Sequence, residues 1–179
     1  MPVVRGRSIR ILYDIDTIAA RNRELAAEIA EAGYHDLLVI SILKGSFVFA
    51  ADLIRALHEA GLAPEVEFIS LSSYGAGTES SGKVRVVKDI ESEVAGRDVL
   101  LIDDILESGR TLSFARQLMV ERGARRVGVA VLLEKPGKRV VETKADHVGF
   151  VCPDLFVVGY GMDAAHAFRE LPFVGVVED

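Results

Sequence analysis

The stretch VLLIDDILESGRT at residues 99–111 limits the possible fold more than any other part of the chain. An apolar run enters Asp103 and Asp104, Ile105 and Leu106 follow, and Glu107, Ser108, Gly109, Arg110 and Thr111 lead into an amphipathic segment. The apolar run has the length and composition of a strand buried on both faces. Adjacent side chains of a continuing strand point to opposite faces, so two neighbouring acids on a regular strand cannot serve one ligand. The strand is therefore expected to end at Asp103, at the carboxyl edge of a sheet, where open α/β proteins place their ligands. The turn beyond it supplies small and hydroxyl residues and main-chain N–H groups at a helix N-terminus, a setting that attracts phosphate. Singly, each of these residues reads equally well as a cap or turn residue. Together, three acids in a loop kept partly buried by Ile105 and Leu106 call for cations or hydroxyls as partners.

The surrounding sequence repeats strand and helix. Residues 16–32 carry apolar positions at helical spacing with Gly33 as a stop, 37–43 is a buried strand, and 47–60 is a helix with Ser46 near its cap. Residues 65–72 alternate as a strand, and 73–82, SYGAGTESSG, read as a mobile glycine-rich loop. A short strand at 84–88, a helix at 112–122 ended by Gly123 and a buried strand at 127–133 follow. This order predicts an α/β fold with a central, mostly parallel sheet flanked by helices. From Lys135 onward the pattern changes to short strands at 155–160 and 174–177 with a brief helix near 164–170, predicting a small appendage. A length of 179 residues is expected to make one domain.

A net charge of −6 and a pI near 5.3 disfavour nucleic acid and anionic membrane as partners and favour small-molecule substrates. The single cysteine, Cys152, forms no internal disulfide, and the opening MPVVRGRSIRILYD lacks an apolar leader segment, so a cytoplasmic location is expected. The longest apolar runs are of strand length, below the roughly 20 residues that cross a bilayer.

The segment VLLIDDILESGRTL resembles the phosphoribosyl pyrophosphate motif of the type I phosphoribosyltransferases. The remainder is similar to their bacterial hypoxanthine-guanine branch through ILKGS at 42–46, SSYG at 72–75, LLEK at 132–135, LFVVGYGMD at 155–163 and FREL at 168–171. The resemblance implies the type I phosphoribosyltransferase fold with a hood formed by the N-terminal segment and about residues 135–179. It implies transfer of a phosphoribosyl group from phosphoribosyl pyrophosphate to hypoxanthine or guanine, with Mg2+ as cofactor and a homodimer or homotetramer as the assembly. By the same resemblance Asp103 and Asp104 hold the ribose hydroxyls and magnesium, while Ser108, Gly109, Arg110 and Thr111 wrap the 5′-phosphate. Leu43, Lys44 and Gly45 bind pyrophosphate, with a cis peptide between Leu43 and Lys44. Ser73 and Tyr74 sit on the lid, Arg169 clamps pyrophosphate, and Asp163 binds a second magnesium. The purine falls to Ile105, Lys135, Phe156 and Val157, with Lys135 donating to the 6-oxo oxygen and Phe156 stacking on the base. By residue type alone, a lysine after a buried strand is ordinarily a solvated charge and Phe156 ordinarily core.

At Glu107 the family pattern has an aspartate that acts near purine N7 as general acid/base. Glutamate keeps the carboxylate and adds a methylene, displacing the reactive oxygen by roughly 1–1.5 Å unless the rotamer compensates. Residues 77–84, GTESSGKV, imitate a Walker A loop but end in Val84 and precede a strand. Residues 159–164 fit G-x-G-x-x-A, but the short remaining chain cannot complete a dinucleotide fold. The four histidines have no zinc spacing with Cys152. Two other readings stay open at this point: an RNA-binding regulator on the same fold, and a transferase for another base such as xanthine.

Overall fold

The computed structural model describes residues 1–74 and 83–178, with the backbone alone at Tyr74. Its main sheet has the strand order β5-β4-β3-β6-β7-β8, comprising β3 (Leu38–Leu43), β4 (Glu65–Tyr74), β5 (Lys83–Lys88), β6 (Asp98–Leu106), β7 (Arg126–Glu134) and β8 (His147–Val151). All its pairings are parallel except β4 with β5. From β3 the chain winds outward to β4, and from β6 it winds the opposite way to β7. The order therefore reverses between β3 and β6, and a crevice opens at the carboxyl ends of those two strands.

Helices cover both faces. Helix α1 (Ile15–Glu31) starts at Asp14, whose side chain accepts from the Thr17 amide at 2.8 Å, and it buries Ile18, Leu25, Ala26 and Ile29. With α2 (Phe47–Glu59), which buries Phe49, Leu53 and Leu57, it packs on the face carrying Val39, Leu100 and Ile102. Helix α3 (Arg110–Glu121) lays Leu112, Ala115 and Met119 on the other face, against Leu38, Ile40, Val99 and Leu101. Alternate residues of one strand thus enter two cores, which is why these strands read as unbroken apolar runs. Arg21 secures edge strand β8 by donating to the carbonyls of Val148 and Gly149 at 2.8 and 2.9 Å.

A second, four-stranded sheet joins the two ends of the chain in the order β1-β2-β10-β9, from β1 (Val3–Val4), β2 (Arg7–Tyr13), β10 (Val174–Glu178) and β9 (Val157–Val158). This sheet is the hood. Its anchor to the helical layer is Tyr160, whose hydroxyl donates to Asp52 of α2 and accepts from Asn22 of α1 at 3.0 Å.

Several expectations are corrected. Strand β6 does not end at Asp103 but pairs with β7 through Leu106. Ser73 and Tyr74 are not loop residues, since they pair with Val84 and Lys83 at the end of β4. Residues 75–82 of the expected lid lie outside the described residues. Ser46 stands at the N-cap position of α2 without capping, because its hydroxyl donates to the Ile42 carbonyl instead. No helix forms at 164–170, where Asp163 accepts from the His166 amide at 2.7 Å and Ala165, His166 and Phe168 take positive φ. A short acid bonding its own downstream backbone competes with helix in this way. The strand expected over 155–160 shortens to Val157–Val158, while β2 and β8 were not expected.

Two predictions follow from the packing. Tyr160→Phe leaves Asp52 and Asn22 without their shared partner and should cost about 1–3 kcal/mol in urea unfolding; an unchanged midpoint would show that the hood is held elsewhere. His147 is buried and hydrogen-bonded to the Tyr34 hydroxyl at 3.0 Å, and burial lowers its pKa below the ordinary 6.5. A depressed histidine pKa means that the unfolded chain takes up the proton first, so this contribution is complete above pH 6.5 and shrinks as the pH falls through the folded value. The loss of stability from pH 7.5 to 5.5 should be smaller in His147→Gln than in the parent.

Candidate active site

The crevice between β3 and β6 is a cavity of about 340 Å3, lined on one wall by Leu43, Lys44 and Gly45 and on the other by Asp103, Asp104 and Glu107 through Gly109. How two adjacent acids come to line one cavity is visible in β6 itself. Leu100 and Ile102 belong to the α1–α2 core and Val99 and Leu101 to the α3 core, yet Ile105 returns to the former and Leu106 to the latter. Side-chain alternation slips by one residue across Asp103 and Asp104. The slip occurs where β3 has stopped pairing, after Ser41 with Ile102, and each displaced amide is satisfied locally. The Asp104 amide donates to Asp103 Oδ1 at 2.9 Å, and the Ile105 amide to Asp104 Oδ1 at 2.8 Å.

Asp103 is 8% exposed, and burial together with the neighbouring Asp104 carboxylate pushes its pKa well above the usual carboxylate range. A site that resists ionisation in this way has room for a cation to take the place of the proton. Across the crevice, the peptide between Leu43 and Lys44 is cis. Gly45 lies so close to Asp104 that a Cβ there would stand 1.9 Å from Asp104 Oδ2, so no other residue type fits without moving the acid.

Beyond β6, Gly109 takes φ +84 as the N-cap of α3, and a Cβ on it would meet the Val141 carbonyl at 2.4 Å. The Ser108 carbonyl accepts from the Val140 and Val141 amides at 2.9 and 3.0 Å, and the Gly109 carbonyl from the Thr143 hydroxyl at 3.1 Å. Segment 139–143 therefore occupies the loop's carbonyls, and it is the donor side of the loop, at the start of α3 beside Thr111, that lines the cavity. Arg110 opens α3, its amide donating to Ser108 Oγ at 3.3 Å.

A second cavity, of about 260 Å3, adjoins the first and shares Asp104, Ile105 and Glu107 with it. Lys135, Phe156, Val157 and Asp163 line it. Lys135 departs from the ordinary solvated lysine: it is 6% exposed, its Nζ donates to the Leu155 carbonyl at 2.6 Å, and Glu107 Oε1 lies 3.7 Å away. Phe156 departs from the ordinary core phenylalanine in the opposite sense, being 66% exposed on the cavity wall, while Val157 is buried. An uncovered aromatic face beside a buried ammonium suits a flat heterocycle with an oxygen at one edge.

Arg169 and Ser73 stand apart from this arrangement, and Asp163, though it lines the second cavity, is already paired. Arg169 is held back from the crevice, with Nη1 donating to the Gly161 carbonyl at 2.7 Å and Nη2 lying 3.1 Å from Asp163 Oδ1. Asp163 is thereby engaged with Arg169 and the His166 amide. Ser73 is exposed at the tip of β4. The sequence reading passed over Lys138 and Asp154, which also line the second cavity. The turn signals Pro136–Gly137 and Pro153 were visible beside them, but not that the two turns meet. Among the described residues no group of three or more His, Cys, Asp or Glu forms a ready metal cage, and no helix is long and apolar enough to cross a membrane.

Comparison with known proteins agrees with this geometry. A family model described as phosphoribosyl transferase domain matches residues 8–165. The chain is 43% identical over 171 residues to the hypoxanthine-guanine phosphoribosyltransferase of Bacillus subtilis, covering 94% of this chain and 93% of that protein. It is also 44% identical over 170 residues to the bifunctional protein TilS/HprT of Listeria monocytogenes, of which it spans only 26%. A solved structure of the hypoxanthine phosphoribosyl transferase of Trypanosoma cruzi superimposes with a TM-score of 0.91 at 36% identity, over 99% of this chain and 95% of that one. With its acid pair at a sheet switch point, the family model matched over residues 8–165 and a 43% identical relative aligned over 93% of its length, the chain belongs to the phosphoribosyl transferase domain family, in the hypoxanthine-guanine phosphoribosyltransferase branch.

Proposed function

We propose that this protein transfers the 5-phosphoribosyl group of phosphoribosyl pyrophosphate to hypoxanthine or guanine, giving IMP or GMP and pyrophosphate. The observation that carries the choice of base is Lys135, a buried ammonium in a cavity faced by Phe156 and continuous with the Asp103–Asp104 crevice. A 6-oxo group accepts a hydrogen bond from that ammonium, whereas the 6-amino group of adenine is itself a donor and offers it no acceptor.

In this reading Asp103 and Asp104 receive the ribose hydroxyls, and Ser108, Gly109, Arg110 and Thr111 receive the 5′-phosphate at the start of α3. Leu43, Lys44 and Gly45 bind pyrophosphate, Ser73 and Tyr74 serve the same donor from the end of β4, and Ile105 and Val157 border the base. The two carboxylates suit magnesium, which keeps several waters and takes one or two acids plus substrate phosphates rather than a full protein cage. Bound there, it would neutralise charge on the departing pyrophosphate. Asp163 as a ligand for a second ion, and Arg169 as a clamp on pyrophosphate, both require their mutual ion pair to open.

The reaction breaks the bond from C1′ to the pyrophosphate oxygen, which leaves with the electron pair, and forms the bond from C1′ to purine N9. Positive charge develops on the ribose as in glycoside cleavage, and Asp103, Asp104 and Glu107 supply negative field beside it. The proton lost from the base at N7 passes to Glu107 or to water next to it. We assign residues 1–179 to one phosphoribosyltransferase domain, hooded by the N-terminal segment and part of 135–179. We further assign it to the cytoplasm as a homodimer or homotetramer.

A panel of hypoxanthine, guanine, xanthine and adenine with phosphoribosyl pyrophosphate tests the reading. Turnover should be confined to 6-oxopurines and be abolished by chelation and restored by magnesium; absence of turnover with every 6-oxopurine would overturn it. Glu107→Asp withdraws the carboxylate by a methylene and should lower kcat/KM for hypoxanthine about 10- to 100-fold, whereas an unchanged or higher rate would mean that the longer arm is not tuned to this site.

A further inference from the structure

Besides the acids Asp104 and Asp163, the base cavity is lined by four further charged side chains: Lys135, Glu107, Lys138 and Asp154. The first two have roles in the reaction proposed above, and the last two have none. Lys138 Nζ lies 3.0 Å from Asp154 Oδ1. It closes the 3-10 turn Pro136–Lys138 that begins directly after Lys135, so one short turn delivers both ammonium groups to the cavity. On the facing segment, Asp154 holds Lys138 and the next residue, Leu155, holds Lys135 through its carbonyl at 2.6 Å.

Glu107 is weakly held by comparison. Its side chain is 40% exposed, and its distance of 3.7 Å to Lys135 Nζ is beyond hydrogen-bond length. When a 6-oxo oxygen draws on Lys135, that contact loosens further. An ammonium has three donors, so Lys138 can keep Asp154 and still serve a second carboxylate. The Asp154 hydrogen bond, with a smaller contribution from the Glu107 carboxylate, raises the Lys138 pKa, which places Lys138 in the electrostatic field of both acids. An exposed ion pair such as Lys138–Asp154 adds little stability of its own; what it does fix is the position of a cation on the cavity rim.

We propose that Lys138, anchored by Asp154, is a positioning residue that holds the Glu107 carboxylate at the N7 edge of the base while Lys135 engages the 6-oxo oxygen. The inference rests on the oxopurine reading above and gives the added methylene of Glu107 a role, since it carries the carboxylate further into the cavity that Lys138 also lines.

The test compares Lys138→Met, Lys138→Arg and Asp154→Asn in the native chain, and Lys138→Met in the Glu107→Asp background, measuring KM for hypoxanthine and for phosphoribosyl pyrophosphate, kcat and the melting midpoint. Lys138→Met should raise the KM for hypoxanthine about fivefold or more, with the KM for phosphoribosyl pyrophosphate and the melting midpoint unchanged. Asp154→Asn should move the same constant in the same direction, and Lys138→Arg should restore it. In the Glu107→Asp background, Lys138→Met should have no further effect, because the carboxylate that Lys138 positions has already been withdrawn. Equal increases in both backgrounds, an equal rise for phosphoribosyl pyrophosphate, a lowered melting midpoint or an unchanged hypoxanthine KM would each overturn the proposal. Lack of hypoxanthine turnover by the parent enzyme would instead overturn the oxopurine reading, and this inference with it.

Discussion

Asp104 turns its carboxylate onto the α-carbon of Gly45 because the side-chain alternation of β6 slips between Ile102 and Ile105, beyond the last pairing with β3. The other features of the site depend on that contact. A regular strand would send Asp103 and Asp104 into opposite cores, each a buried charge without a partner. The slip brings both to the crevice and lets each acid accept the next backbone amide. It also requires a residue without a Cβ on the facing loop, which is why the Leu43–Gly45 wall can close on the acids to form one narrow cavity.

The two halves of the site have opposite electrostatic problems. In the crevice, a buried carboxyl next to a second acid is raised toward protonation, and the environment favours a cation or hydroxyl donors. In the base cavity a buried ammonium is the costly group, and the Leu155 carbonyl and Glu107 compensate it. Glu107 lines both cavities and so couples them: its carboxylate faces the acid pair on one side and two lysines on the other. The base wall belongs to a segment whose strand β9 sits at the edge of the hood sheet, tied to the helical layer through Tyr160. A substrate that bridges both cavities therefore bridges the sheet core and the hood.

Much of the main sheet was legible from local pattern, because strands buried on both faces must be continuously apolar and helices packed on them must carry a stripe. Residues 37–43 and 127–133 and the stretch leading into Asp103 show that run, and residues 16–32 show the stripe. The hood was less legible. Strand β2 pairs with β10 from the far end of the chain, and the exposed face of that sheet leaves an apolar signal too thin to separate from loop. The helix expected near 164–170 failed because a single bond from the His166 amide to Asp163 diverted the backbone, and periodicity carries no information about that competition.

The sequence by itself determined the kind of site: adjacent acids, a turn of small and hydroxyl residues opening a helix, and a sheet edge to hold them all lie within residues 99–111, where local order suffices. It did not determine how adjacent acids could face one way, since ending the strand and slipping it satisfy the same constraint; the neighbouring strands decided for the slip. Nor could it convert Lys135 from a surface charge into a buried donor, or set Lys138 against Asp154. Those are meetings of segments distant in the chain, and only packing determines which groups lose their water and which partners replace it.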